Sequence, residues 1–251
     1  MRMGRGLIIL FLSLAFGQPV CAQTPTSRFE GWTTAVVAAD WRGGGQPIMA
    51  FDNARRDVTR GFLAAGLPRS GMVDYSLRPD VPNPTTPRAA VQGISEAAAR
   101  NTQGCLLYFT SHGAPTGIVF GPEVMVSPLQ MSQLVRQWCG ARPTVIVLSA
   151  CYSGAFMGAL EAPNRMILTA ARRDRTSFGC GADETYPWFD GCVIESLPAS
   201  TDFLDLAARA RACVIRKETE AKVDLPSEPQ LFVGSEMQLR LPTLRFTRPA
   251  G

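Results

Sequence analysis

The sequence predicts an α/β domain, a three-layer α/β/α sandwich around a mostly parallel six-stranded sheet. Three observations predict it. Short β-prone apolar runs alternate along the chain with longer segments of helical periodicity, the pattern of strands joined by crossover helices. The runs TTAVVAA (33–39), LLYFT (106–110) and TVIVLS (Thr144–Ser149) are largely unbroken, as strands buried on both faces should be. The length of 251 residues, with 46% hydrophobic and only 18% charged, fits a single domain with a sizeable core.

Taken in order, residues 33–39 form a buried strand bounded by Gly31 and a loop over 41–47. Residues 52–65 carry Val58, Phe62 and Leu63 at helical spacing and stop at Gly66. A second strand covers 72–77, and the proline-rich stretch 78–87 is a loop. The alanine-rich segment 88–101 is helical. Residues 106–110 form a strand that ends at Ser111-His112-Gly113, and 128–138 form a helix leading to Cys139-Gly140. Thr144–Ser149 is the clearest strand and ends at Ala150-Cys151-Tyr152-Ser153-Gly154. Another strand covers 165–171. Phe203–Glu220 is a long helix with Leu204, Ala208, Arg211 and Ile215 on one side, and 230–234 is the last strand.

The first 22 residues stand apart from this domain. Arg2 and Arg5 precede an apolar stretch over 7–16, and Val20-Cys21-Ala22 closes it with small residues, the plan of a secretory signal peptide. The approach Gln18-Pro19-Val20 suits a lipidated Cys21 poorly, so cleavage is expected after Ala22, leaving one domain over 23–251. The destination is the periplasm or the exterior. No later stretch reaches the ~18 consecutive apolar residues of a membrane helix. Without Arg2 and Arg5, 23 basic residues face 21 acidic ones; Arg172, Arg173 and Arg175 are the only tight group, which argues against a nucleic-acid partner.

His112 is the sole histidine, two residues past an apolar strand and followed by a glycine that admits close backbone approach. Cys151 stands at the same place on the next central strand, 39 positions on. Ligands of such sheets bind outside the carboxyl ends of the strands, so the two residues share one rim and are expected to face each other across neighbouring strand tips. A thiolate attacks a carbonyl, and an imidazole beside it supports the thiolate and returns the proton to the leaving group. The backbone N–H groups of Gly113 and Cys151 are the expected oxyanion donors. A nucleophile elbow of the α/β-hydrolase type is excluded, since Ser149 and Ser153 stand where that turn needs glycines and no histidine follows Cys151. One histidine and cysteines without C-x-x-C spacing argue against zinc and against thioredoxin-like chemistry.

The stretches Thr110-Ser111-His112-Gly113 and Val147-Leu148-Ser149-Ala150-Cys151-Tyr152-Ser153-Gly154 resemble the caspase-like clan of cysteine peptidases and, within it, the legumain family. Leu168-Thr169-Ala170-Ala171 with Thr176-Ser177-Phe178-Gly179-Cys180 is similar to the strand and loop that line the primary specificity pocket of legumains, and the likeness runs in order from about Thr33 to Gly234. The resemblance implies an endopeptidase with Cys151 as nucleophile, His112 as general base and Gly113 in the oxyanion hole, acting on peptide or protein substrates without a cofactor or metal. It implies the strand order 2-1-3-4-5-6, the last strand antiparallel, and a pocket touching Thr176 and Ser177. Ser149 departs from the family, many of whose members carry an acidic residue there, so a preference for Asn or Asp does not carry over. Asp190 and Asn53 are candidates to supply the polarity of that pocket. Two alternatives stay open for this chain: a peptide-binding module that keeps the fold without turnover, and transpeptidation, in which an amine resolves the acyl-enzyme.

Six cysteines follow Ala22. Cys105 opens one central strand and Cys139 ends the helix leading into the next, so both lie at the edge opposite the site, where they can pair. Cys192 and Cys213 are expected to form a second bridge, with Cys180 left free or competing for Cys192.

Overall fold

Six strands build the central sheet: β1 (Trp32–Ala38), β2 (Met72–Ser76), β3 (Gly104–Thr110), β4 (Thr144–Ser149), β5 (Arg165–Thr169) and β6 (Gln230–Val233). They belong to a computed structural model that describes residues 27–43 and 46–247; the expected leader over 1–22, with Cys21, lies outside them. The order across the sheet is β2-β1-β3-β4-β5-β6. β6 runs antiparallel to β5 and the other four pairings are parallel. This is the 2-1-3-4-5-6 arrangement that the legumain resemblance implies.

Every residue of β1, β3, β4 and β5 is buried, while the edge strand β6 is half-buried along its length. Alternate side chains of the buried strands supply two cores. Val36, Leu106, Tyr108, Val145, Val147, Met166 and Leu168 pack under α1 (Ala50–Ala64), α5 (Trp188–Ser196), α6 (Phe203–Glu220) and α7 (Ser235–Arg240). Ala35, Val37, Leu107, Phe109, Ile146, Leu148 and Ile167 pack under α2 (Pro87–Arg100), α3 (Pro128–Cys139) and the short α4 (Met157–Leu160). Both faces are covered, which accounts for strands that read as apolar without alternation.

The helices begin where local chemistry starts them. Thr86 accepts from the Ala89 amide ahead of Pro87, and Ser127 and Gln130 form a capping box around Pro128. Gly66, at φ +96°, turns the chain out of α1 as expected. In α6 the side bearing Leu204 and Ile215 faces solvent, these two being 38% and 57% exposed. The packed side is Leu206, Ala207, Ala210, Cys213 and Val214, drawn inward by α5 and by the bridge to Cys192. Helix α5 was not foreseen: its sequence WFDGCVIES is apolar nearly all round, with Gly191 inside it, and so has no helical stripe.

The disulfides are Cys105–Cys139 and Cys192–Cys213; among the described residues Cys151 and Cys180 are unbridged. Cys105 lies at the start of β3 and pairs in register with Thr144, so the first bridge sits at the rim away from Thr110 and Ser149. Replacing Cys105 and Cys139 together by alanine should lower the unfolding free energy by about 2–4 kcal/mol, the usual worth of closing a loop of this size. Guanidinium unfolding of the two proteins checks this; equal midpoints and slopes would show that the bridge contributes nothing.

Candidate active site

β3 and β4 are neighbours whose last residues, Thr110 and Ser149, are paired in register. The Ser111 amide extends the ladder by donating to the Ser149 carbonyl at 3.0 Å. His112 and Cys151 each follow two residues past that last pair, so the sheet delivers them side by side on one rim. The contact between the two turns is tight. A Cβ added to Gly113 would stand 2.0 Å from the Cys151 carbonyl oxygen and 3.1 Å from the Ala150 Cβ, so only glycine lets the backbone after His112 lie on the backbone of Cys151.

The turn at Cys151 is locked to the loop that follows β5. Tyr152 takes up φ +58°, a left-handed conformation rare for a bulky residue, and its amide donates to the Arg175 carbonyl at 2.8 Å. The Gly154 amide donates to the Ala171 carbonyl, and the buried Ser153 hydroxyl accepts from the Ala171 amide at 3.1 Å. The sulfur joins this arrangement: the Ser177 amide donates to Cys151 Sγ at 3.3 Å, and Sγ lies 3.4 Å from the Ser177 carbonyl, to which its proton is given. Among the described residues the Cys151 amide has no backbone acceptor. It is therefore available to an oxygen anion developing beside the sulfur.

His112 is held by a group the sequence does not advertise. Its Nε2 lies 2.5 Å from the Arg42 carbonyl, and the ring meets Phe51 edge-on at 5.0 Å between centroids. A carbonyl only accepts, so this contact assigns the proton of the neutral ring to Nε2 and leaves the Nδ1 lone pair as the base. Arg42 belongs to the connection after β1, where Arg42–Gly43 pairs antiparallel with Gln46–Pro47, at the same rim. A main-chain oxygen has no residue signature, and its rim position is the only clue that sequence offers.

The residues read as pocket candidates fall into three groups. Ser149 and Asp190 lie beneath the strand tips, 2% and 0% exposed. The Asp190 carboxylate accepts from the Thr110 hydroxyl at 2.6 Å and from the Tyr108 hydroxyl, tying α5 to β3. Burial raises the Asp190 acid from 3.8 to about 6, against the pull of the Thr110, Tyr108 and Ser149 hydroxyls. Thr176 and Ser177 lie on the loop that touches the sulfur, Thr176 exposed and Ser177 half-buried. Asn53, on α1, donates to the Thr185 carbonyl at 3.1 Å and accepts from Arg56, so it anchors the loop ahead of α5. Cys180 packs against Ala38, Ile48, Ala50 and Phe51, and burial pushes its thiol far above the ordinary range. Among the described residues no cluster of His, Cys, Asp or Glu could hold a metal ion.

Residues 94–196 match the Peptidase C13 family. The match holds His112, Gly113, Ser149, Cys151, Thr176, Ser177 and Asp190 and leaves out Asn53 and Arg42. No curated protein matches the chain in sequence. Among solved structures, caspase-1 from Spodoptera frugiperda superposes with a TM-score of 0.61 at 11% identity, over 86% of this chain and 93% of that one. At that identity the likeness is one of fold.

Asp190 gives the folded protein a pH dependence of definite sign. The folded chain keeps this proton up to about pH 6, whereas the unfolded chain releases it near 3.8. The contribution of the group is thus fully present below about pH 4 and is lost as pH rises to about 6. Thermal unfolding of the wild type and of Asp190→Asn between pH 4 and 7 should differ by this slope, the wild type losing stability relative to the variant as pH rises. Parallel curves would remove the buried acid from the account.

Proposed function

We propose that this legumain-like cysteine peptidase of caspase fold hydrolyses peptide bonds through an acyl-enzyme on Cys151, with His112 as general base. The observation that carries the reading is the register Thr110 to Ser149, which sets the imidazole and the unbridged thiol on adjacent strand tips with the two turns in backbone contact. Nδ1 of His112 takes the thiol proton, and the Ser177 amide, already on the sulfur, supports the thiolate. The thiolate adds to the substrate carbonyl, and the oxygen anion is received by the Gly113 and Cys151 amides. His112 then gives its proton to the departing amine, which leaves the thioester. A water molecule, deprotonated by the same nitrogen, cleaves the thioester and restores the thiol.

Thr176 and Ser177 form a wall of the pocket ahead of the scissile bond, Ser149 and Asp190 support the strand tips from beneath it, and Asn53 anchors the loop ahead of α5 through Thr185. Export follows from the leader over 1–22, with the mature domain over 23–251. Two disulfides fit an oxidising compartment, and among the described residues no helix is long and apolar enough to cross a membrane.

A peptide carrying a thiol-reactive electrophile should label the wild type at one site, and both Cys151→Ala and His112→Ala should abolish the labelling. Turnover of an unbiased peptide mixture, followed by mass spectrometry, should fall by about 10²–10⁴ in His112→Ala, the usual worth of a general base. Labelling that survives in Cys151→Ala would dispose of the nucleophile.

A further inference from the structure

The carbonyl that orients His112 stands in a short two-stranded ribbon, Arg42–Gly43 pairing antiparallel with Gln46–Pro47, and the Ile48 amide donates to the Trp41 carbonyl at 2.8 Å. Arg42 is followed by Gly43, Gly44 and Gly45, three residues with little conformational preference of their own. Among the described residues this carbonyl is the ring's one hydrogen-bond partner. The ribbon holds this stretch from the Gln46–Pro47 side, and Asp40 is placed to hold it from the β1 side.

Asp40 follows β1 by two residues and is only 2% exposed. One oxygen, Oδ1, accepts from the Trp41 amide at 2.8 Å, from the Arg42 amide at 3.3 Å and from Arg42 Nε at 2.8 Å. Two successive amides gathered on one oxygen set the course of the backbone through Trp41 and Arg42. The ion pair clamps the side chain of the same residue. The guanidinium also reaches the Pro122 and Gly121 carbonyls at 3.3 and 3.4 Å, and the Gly121 amide donates to the Ala39 carbonyl at 2.7 Å. A buried carboxylate costs stability unless donors surround it, and removing it leaves those donors unpaired. Here all three donors belong to the residue that bonds the histidine and to the residue before it.

We propose that Asp40 is a positioning residue for the general base: it holds the Arg42 carbonyl on His112 Nε2, which keeps that nitrogen protonated and Nδ1 open to the thiol. The step from orientation to rate rests on the His112 and Cys151 reading above, while the orientation itself does not. Because His112 is the only histidine, its ring nitrogens give a single pair of signals in protein labelled with ¹⁵N-histidine, and the tautomer is read without assignment.

Recorded where the ring is neutral, the wild-type spectrum should show the proton on Nε2, and Asp40→Ala should show a mixture of tautomers. In turnover, Asp40→Ala should lose about 10–100-fold in kcat with KM changed less than about threefold, a loss of the size seen when an outer partner that orients a metal-bound histidine is removed. Asp40→Asn keeps an oxygen for the two amides and should regain most of both signals. A wild-type ring protonated on Nδ1 would overturn the proposal without any variant, which covers the case of a variant that fails to fold. An unchanged tautomer and kcat in folded Asp40→Ala would overturn it as well. If the wild type neither labels nor turns over, the peptidase reading fails, and the spectra still decide the role of Asp40.

Discussion

The pairing of two parallel strands through to their last residues is the constraint on which the rest depends. A parallel ladder leaves no freedom in how its carboxyl ends are offset: once Thr110 is opposite Ser149, whatever follows each of them by two residues meets at the same height. Six fully or nearly fully buried rungs hold that offset, because slipping by one residue would turn every side chain of a two-faced apolar strand toward the wrong layer. The chemistry proposed at the rim is thus indexed by packing in the body of the sheet. Gly113 is the local expression of the same constraint, a missing Cβ where two backbones touch.

Three segments far apart in sequence converge on this meeting point. The loop after β1 presents a carbonyl to the imidazole, the turn after β4 presents the thiol, and the loop after β5 lays its backbone on the sulfur. Main-chain groups make most of the contacts: the Arg42 and Ser177 carbonyls and the Ser177 amide. Residue identity is constrained mainly where backbone must approach backbone, as at Gly113 and Gly154. Much variation in the surrounding side chains is compatible with such a site, in keeping with a fold shared with a caspase at 11% identity.

The same division explains what could be read from the sequence. TVIVLS announced β4 because β-branched residues without alternation have few other uses, and its end fixed the place of Cys151. The Cys105–Cys139 pair was legible because an element's start or end says which rim a residue occupies, whereas Cys192 and Cys213 lie inside α5 and α6, where no such rule pairs them. Helix α5 was hidden by its evenly apolar composition, and with it the surroundings of Asp190: an acid in WFDGCVIES could be named as a candidate, but its burial against Tyr108 and Thr110 needs the third dimension. The side of α6 that packs was equally unreadable, since Leu204 and Ile215 are as apolar as the residues that face inward. The Arg42 carbonyl left no trace at all, because every residue has one.

The contact of Ser177 with the sulfur also has a dynamic side. A thiol can give its hydrogen to the Ser177 carbonyl, but a thiolate or a thioester has none to give, so that half of the contact exists only while Cys151 is at rest. The loop from Ala171 to Ser177, tied to the same turn through Tyr152 and Gly154, is thereby wired to the protonation and acylation state of a single atom. In the mechanism proposed above, each turnover would release and restore that latch, so the loop would be firmest on an empty enzyme and loosest while an acyl group waits for water.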